Sequence, residues 1–120
     1  MPVIENQHSY DQRSVAMADC AYRAVRSLFR HLSVDQIRQP PRQLMDAKLA
    51  RQIAIHIMVH RLHMEQRQIC RIQMRQRTSI HFALQAVETR LECEIFAAAY
   101  ERIAAIAERL CQAVTMQNAA

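Results

Sequence analysis

Apolar residues recur along this chain at steps of three and four, the spacing of a helix face. From Arg13 to about Leu32 the stripe is Val15, Ala18, Tyr22, Val25, Leu28, Phe29 and Leu32, which predicts one amphipathic helix. Ser33 with Gln36 three residues on has the form of a capping box, and Val34 and Ile37 would pack the short helix it opens. Pro40-Pro41 stops that helix and stiffens the connector. Asp46 is the candidate N-cap of a third helix reaching about Leu62, with Leu49, Ile53, Ile57 and Met58 inward. A short helix from Met64 to Ile72, anchored by Met64, Ile69 and Ile72, leads into a tight basic turn at Met74 to Arg77. Thr78 then opens a helix to about Glu92. Its inward residues are Ile80, Ala83, Leu84, Val87 and Leu91, and its other face shows Arg77, Ser79, His81, Gln85 and Glu88. The last helix spans about Glu94 to Val114, with a stripe of Phe96, Tyr100, Ile103, Ile106 or Ala107, and Leu110. That stripe is either core or a homodimer interface. Residues 1–12 read as an N-terminal tail, 13–114 as a single domain and 115–120 as a C-terminal tail.

Composition narrows the fold. The 120 residues include no glycine and three prolines, so the glycine-dependent turns of hairpins are missing. Ala, Leu, Met, Gln, Arg and Glu dominate, and all favour helices. The expected class is all-α, a compact domain of five to six helices. Glycine's absence also excludes a P-loop and a dinucleotide fingerprint, where backbone amides must approach phosphates, so no nucleotide cofactor is expected. No apolar run approaches the roughly 18 residues of a membrane span. The polar start, Met1 to Tyr10, lacks the apolar centre of a secretory signal, so a cytoplasmic location is expected. Cys20, Cys70, Cys93 and Cys111 are widely separated and form no CxxC pair, and they read as reduced core thiols.

Charge is concentrated. Residues 1–37 are neutral, residues 38–82 hold nine cations against two acids, and residues 83–120 carry a net −2. The whole excess of +5 therefore sits in the middle, nearly all of it arginine. Arginine's planar fork suits phosphate oxygens and guanine edges. Such a block between uncharged or acidic flanks favours a polyanionic partner over a merely solvated face.

Two short helices joined by a tight turn, the second opening on small polar residues, form the pattern of a helix-turn-helix. In that motif the start of the second helix reaches base edges in the major groove. Here those residues are Arg75, Gln76, Arg77, Thr78 and Ser79, with Phe82 at their margin.

The stretch from Leu49 to Glu88 resembles the C-terminal DNA-binding domain of the bacterial replication initiator DnaA. Arg51-Gln52-Ile53-Ala54 matches that family's Arg-Gln-hydrophobic-Ala helix, and Ile69-Cys70 stands where the family has Ile-Gly. Arg75 to Ile80 matches the opening of its recognition helix, and Val87-Glu88 a later hydrophobic-Glu pair. Val34 to Arg42 resembles the family's short helix and basic loop, so the likeness covers about residues 15 to 92. It implies a DnaA- or Trp-repressor-like fold and double-stranded DNA as partner. Arg75, Arg77, Thr78 and Ser79 would read or position bases, and Arg42 or Arg38 would enter the minor groove. Lys48, Arg51 and Arg71 would hold phosphates. His81 is a further candidate phosphate contact. The chain departs from the family at Gln76-Arg77, where an Asp-His pair stands, and in a shorter turn without glycine. No ATPase segment is included. The implied role is transcriptional regulation or modulation of replication, on the nucleoid. The alternative is an adaptor that keeps the fold without reading DNA.

His56, His60 and His63 fall on one helical face, and HxxxH is a zinc-binding spacing. The residues between His56 and His60 supply no carboxylate, so the trio reads as a polar helix face and no metal is expected. No Ser-His-Asp or Cys-His arrangement has supporting context, and the chain does not read as an enzyme.

Overall fold

A computed structural model describes the backbone of residues 2–119 and the side chains of residues 12–115. It contains six helices and, among the described residues, no strand: α1 (Pro2–Arg26), α2 (Val34–Arg38), α3 (Met45–His60), α4 (Gln66–Gln73), α5 (Arg77–Arg90) and α6 (Glu94–Ala119). The fold is therefore all-α, as composition requires.

Helix α3 is the hub. Residues Ile53 to Met58 are consecutively buried, His56 among them, so this segment has no solvent face. Helices apolar all round belong inside a fold, and α3 is enclosed by α1 on one side and α5 on another. The polar face expected at His56 is thus corrected. His56 is 4% exposed, and its ring bonds Tyr100 of α6 and Glu88 of α5. Burial pushes this imidazole below its ordinary pKa, against the pull of Glu88.

α1 and α6 pack along each other. Fully buried Ala18, Ala21 and Ala24 on α1, and Ala104 and Ala107 on α6, bear no side chain beyond Cβ. The α6 stripe is core: Tyr100 and Ile103 are buried, and Phe96, Ile106 and Leu110 are half-buried. α6 extends beyond Val114, though the side chains after Thr115 lie outside the described residues. At the other end α1 begins ahead of the expected Arg13, and of the expected tail, residues 1–11 lie outside the described side chains. No helix is long and apolar enough to cross a membrane among the described residues.

Local chemistry sets the boundaries. The Ser33–Gln36 capping box forms as expected, with Ser33 N–H donating to Gln36 Oε1 (2.9 Å) and Gln36 N–H donating to Ser33 Oγ (3.1 Å). α1 stops at Arg26, short of Leu32, because the chain tightens into turns in which Leu28 N–H reaches Val25 O and Leu32 N–H reaches Phe29 O. Leu28 is consequently 41% exposed; Val15, also placed inward by its spacing, is 54% exposed. Asp46 does not cap α3. The helix starts one residue earlier, at Met45, after Leu44, and the Asp46 carboxylate pairs with His31 at 3.2 Å. Cys93 also departs from the expected core position: it is an exposed free thiol, whereas Cys20 is buried and Cys70 and Cys111 are half-buried.

The α4–α5 connection is three residues, Met74 to Gln76. Met74 closes α4 in the left-handed region (φ 53°), which lets Arg75 N–H bond Cys70 O at 3.0 Å. A β-carbon makes that conformation unfavourable, and glycine is the usual occupant. Met74 is 82% exposed, so its side chain loses little packing if removed. Met74→Gly is expected to raise unfolding free energy by about 0.5–1 kcal/mol in a denaturant titration; an unchanged or lower value would contradict this description of the turn.

Candidate functional site

Three separate segments bring cations to one place. The Pro40-Pro41 connector presents Arg42. The first turns of α3 present Lys48 and Arg51, three residues apart and hence on one face. The α4–α5 turn presents exposed Arg75, directly after left-handed Met74. Together with Pro40, these four side chains line an open cavity of about 490 Å³.

Among the described residues no carboxylate lines the cavity, so its walls carry four like charges. Arg51 shows the consequence. Burial lowers its guanidinium pKa, and the neighbouring Arg75 charge lowers it further. Its Nε is buried and, among the described residues, has no hydrogen-bond partner. An unsatisfied buried donor on a charged group is unfavourable, more so beside a like charge. An anion in the cavity would supply the missing acceptor and relieve the repulsion at once. Guanidinium groups are suited to phosphate oxygens, which they can meet through paired N–H donors.

Behind this cavity the turn is braced by buried amides. Gln73 Nε2 donates to the Tyr22 hydroxyl, and Gln68 Nε2 donates to Ser14 Oγ at 2.6 Å. Burial pushes the Tyr22 hydroxyl pKa up to about 12, so it stays protonated and neutral near the cations. These bonds tie α4 to α1 and hold the end of α4, hence the turn, in place. Nothing in the sequence pattern marked Gln68 or Gln73 as buried.

The other expected site residues are distributed less uniformly. Gln76, Arg77, Thr78 and His81 are exposed at the start of α5, and Ser79 is half-buried rather than outward. Phe82 stands 63% exposed beside them, its ring 6.2 Å from that of His81. Arg38 is turned away from Arg42: it pairs with Asp35 at 2.6 Å and lines a different cavity with Asp19 and Tyr22. Arg71 lies at the α1–α4 junction, beside Ser14, Val15, Gln68 and Ile72. Of the seven arginines and lysines expected at the site, the cavity gathers Arg42, Lys48, Arg51 and Arg75, and not Arg38, Arg71 or Arg77.

No family model matches this chain, and no curated protein or solved structure matches it either. The site must be read from its own geometry.

Inorganic phosphate at constant ionic strength is expected to stabilise the fold, by about 1.4 kcal/mol at ten times its dissociation constant. Arg75→Gln should remove most of that gain in thermal melts. An equal gain from chloride, or one untouched by the substitution, would contradict an anion site.

Proposed function

We propose that the chain is a sequence-specific double-stranded DNA-binding protein, related to the DnaA C-terminal domain, that acts in transcriptional regulation or in modulating replication initiation. The observation that carries the reading is the uncompensated cavity formed by Arg42, Lys48, Arg51 and Arg75. It abuts the turn from which α5 emerges, and the exposed residues at that helix start bear groups suited to base edges.

In this reading the cavity grips backbone phosphate, which fixes position, while the start of α5 enters the major groove. Arg77 would grip a guanine edge, Gln76 an adenine edge, and the Thr78 methyl would meet thymine. Arg75, read from the sequence as a base contact, joins the phosphate group, and Arg42 grips backbone beside it. Half-buried Ser79 supports the helix start, and His81 reaches a flanking phosphate. Arg38 has no part while Asp35 holds it. A homodimer through the α6 stripe would have little apolar surface to use, since Tyr100, Ile103 and Ala107 are buried within one chain. Residence on the nucleoid follows from the partner.

Met74 and Phe82, large and exposed near the turn, favour a second reading as an adaptor that docks protein. Random duplex in a gel shift at low salt separates the two. Retardation supports DNA binding, and its absence at micromolar protein supports the adaptor.

Four phosphate contacts should weaken duplex binding roughly a hundredfold between 50 and 200 mM salt. Lys48→Ala should weaken all sequences alike and flatten the salt slope by about one unit. On a duplex selected from a random pool, Arg77→Ala should cost about 1–3 kcal/mol and relax preference at one position. Equal losses on selected and random duplex would contradict base reading by Arg77.

A further inference from the structure

The second cluster lies at the opposite end of α3. His56 and His60 are one turn apart, with ring centroids 4.4 Å from each other. Glu88 of α5 reaches across to both: its Oε1 is 2.6 Å from His56 Nε2 and 3.9 Å from His60 Nε2. One donor atom from each of the three residues falls within 4.8 Å of the other two. The carboxylate that the HxxxH spacing lacks locally is thus delivered by a different helix.

We propose that His56, His60 and Glu88 form a binding site for a divalent transition-metal ion of the zinc class, clamping α5 to α3. Two imidazoles with one carboxylate are zinc ligands, and a site with three protein ligands keeps a fourth position for water. Tetrahedral ligands bonded at zinc distances stand roughly 3.3 Å apart, so closing the site requires only small rotations. His60 and Glu88 have that freedom, with side chains 48% and 58% exposed. Their exposure also gives the ion a path from solvent.

His56 is the fixed member. It is buried, and its Nδ1 lies 2.5 Å from the Tyr100 hydroxyl. A carboxylate only accepts, so without metal the ring proton sits on Nε2 toward Glu88, and Tyr100 O–H donates to Nδ1. On metal binding the proton moves to Nδ1, the Tyr100 oxygen becomes its acceptor, and the Nε2 lone pair is freed for the ion. A hydrogen bond of this kind behind a ligating histidine sets ring orientation and tautomer. The nearest competing charge, Arg61, is occupied by Glu101 at 3.0 Å and Glu108 at 2.8 Å. The site does not depend on the DNA reading.

The test is zinc chloride titrated into the full chain carrying Cys93→Ser, which removes the exposed thiol. One equivalent should bind by calorimetry, and zinc at a hundred times its dissociation constant should raise the melting midpoint by roughly 10 °C. His60→Ala and Glu88→Gln alter exposed side chains; each should weaken binding at least tenfold with little change in the zinc-free midpoint. His63→Ala, outside the cluster, should leave binding intact. If one of the first two variants fails to fold, the other gives the same readout. No binding, binding that survives both substitutions, or equal loss in His63→Ala would overturn the proposal.

Discussion

The enclosure of α3 is the constraint on which the other placements depend. With Ile53 to Met58 buried from end to end, that helix can be neither rotated nor shifted without exposing apolar surface. Its position fixes what emerges at its two ends. Lys48 and Arg51 leave near the start, toward the α2–α3 connector and the α4–α5 turn. His56 and His60 leave near the finish, toward α5 and α6. One rigid element thereby presents a set of uncompensated cations and a set of metal-competent donors. Because α5 packs on the same helix, its exposed start is held in a fixed relation to the cation cavity.

Like charges crowd the cavity. Among the described residues Arg51 has a buried donor with no acceptor, and it has a second guanidinium for a neighbour. A fold that needed only stability would be better served by an apolar side chain or a carboxylate partner at this point. Arg61 shows the contrast within the same chain: two glutamates meet it, and its pKa is raised by the bond to Glu101. The two arginines differ in what surrounds them: Arg61 meets two carboxylates, and the buried Nε of Arg51 meets no acceptor among the described residues.

Much of the fold was legible in the sequence because it is local. Ser33 and Gln36 are three residues apart, and their capping box formed as the spacing required. The α4–α5 turn and the start of α5 fell within a residue or two of expectation. Failures occurred where partners are distant along the chain. Periodicity assigned His56 to a polar face because its covering groups, Glu88 and Tyr100, lie 32 and 44 residues away. Asp46 looked like a cap, yet the helix began at Met45 and His31 took the carboxylate. Leu28 kept helical spacing through a segment that had turned. For the candidate site, charge counting located the basic block but could not separate Arg51, whose Nε meets no acceptor among the described residues, from Arg38, which Asp35 holds.

The proposed function requires that Arg51 and Arg75 jointly contact a phosphate when duplex DNA is bound. The most direct measurement is an NMR titration following the arginine Nε–Hε signals of the ¹⁵N-labelled chain as duplex is added. The Arg51 and Arg75 signals should move together and saturate with binding, while those of Arg38 and Arg61 stay in place. Saturable DNA binding with the Arg51 signal unmoved, or no movement of any arginine signal, would contradict the account.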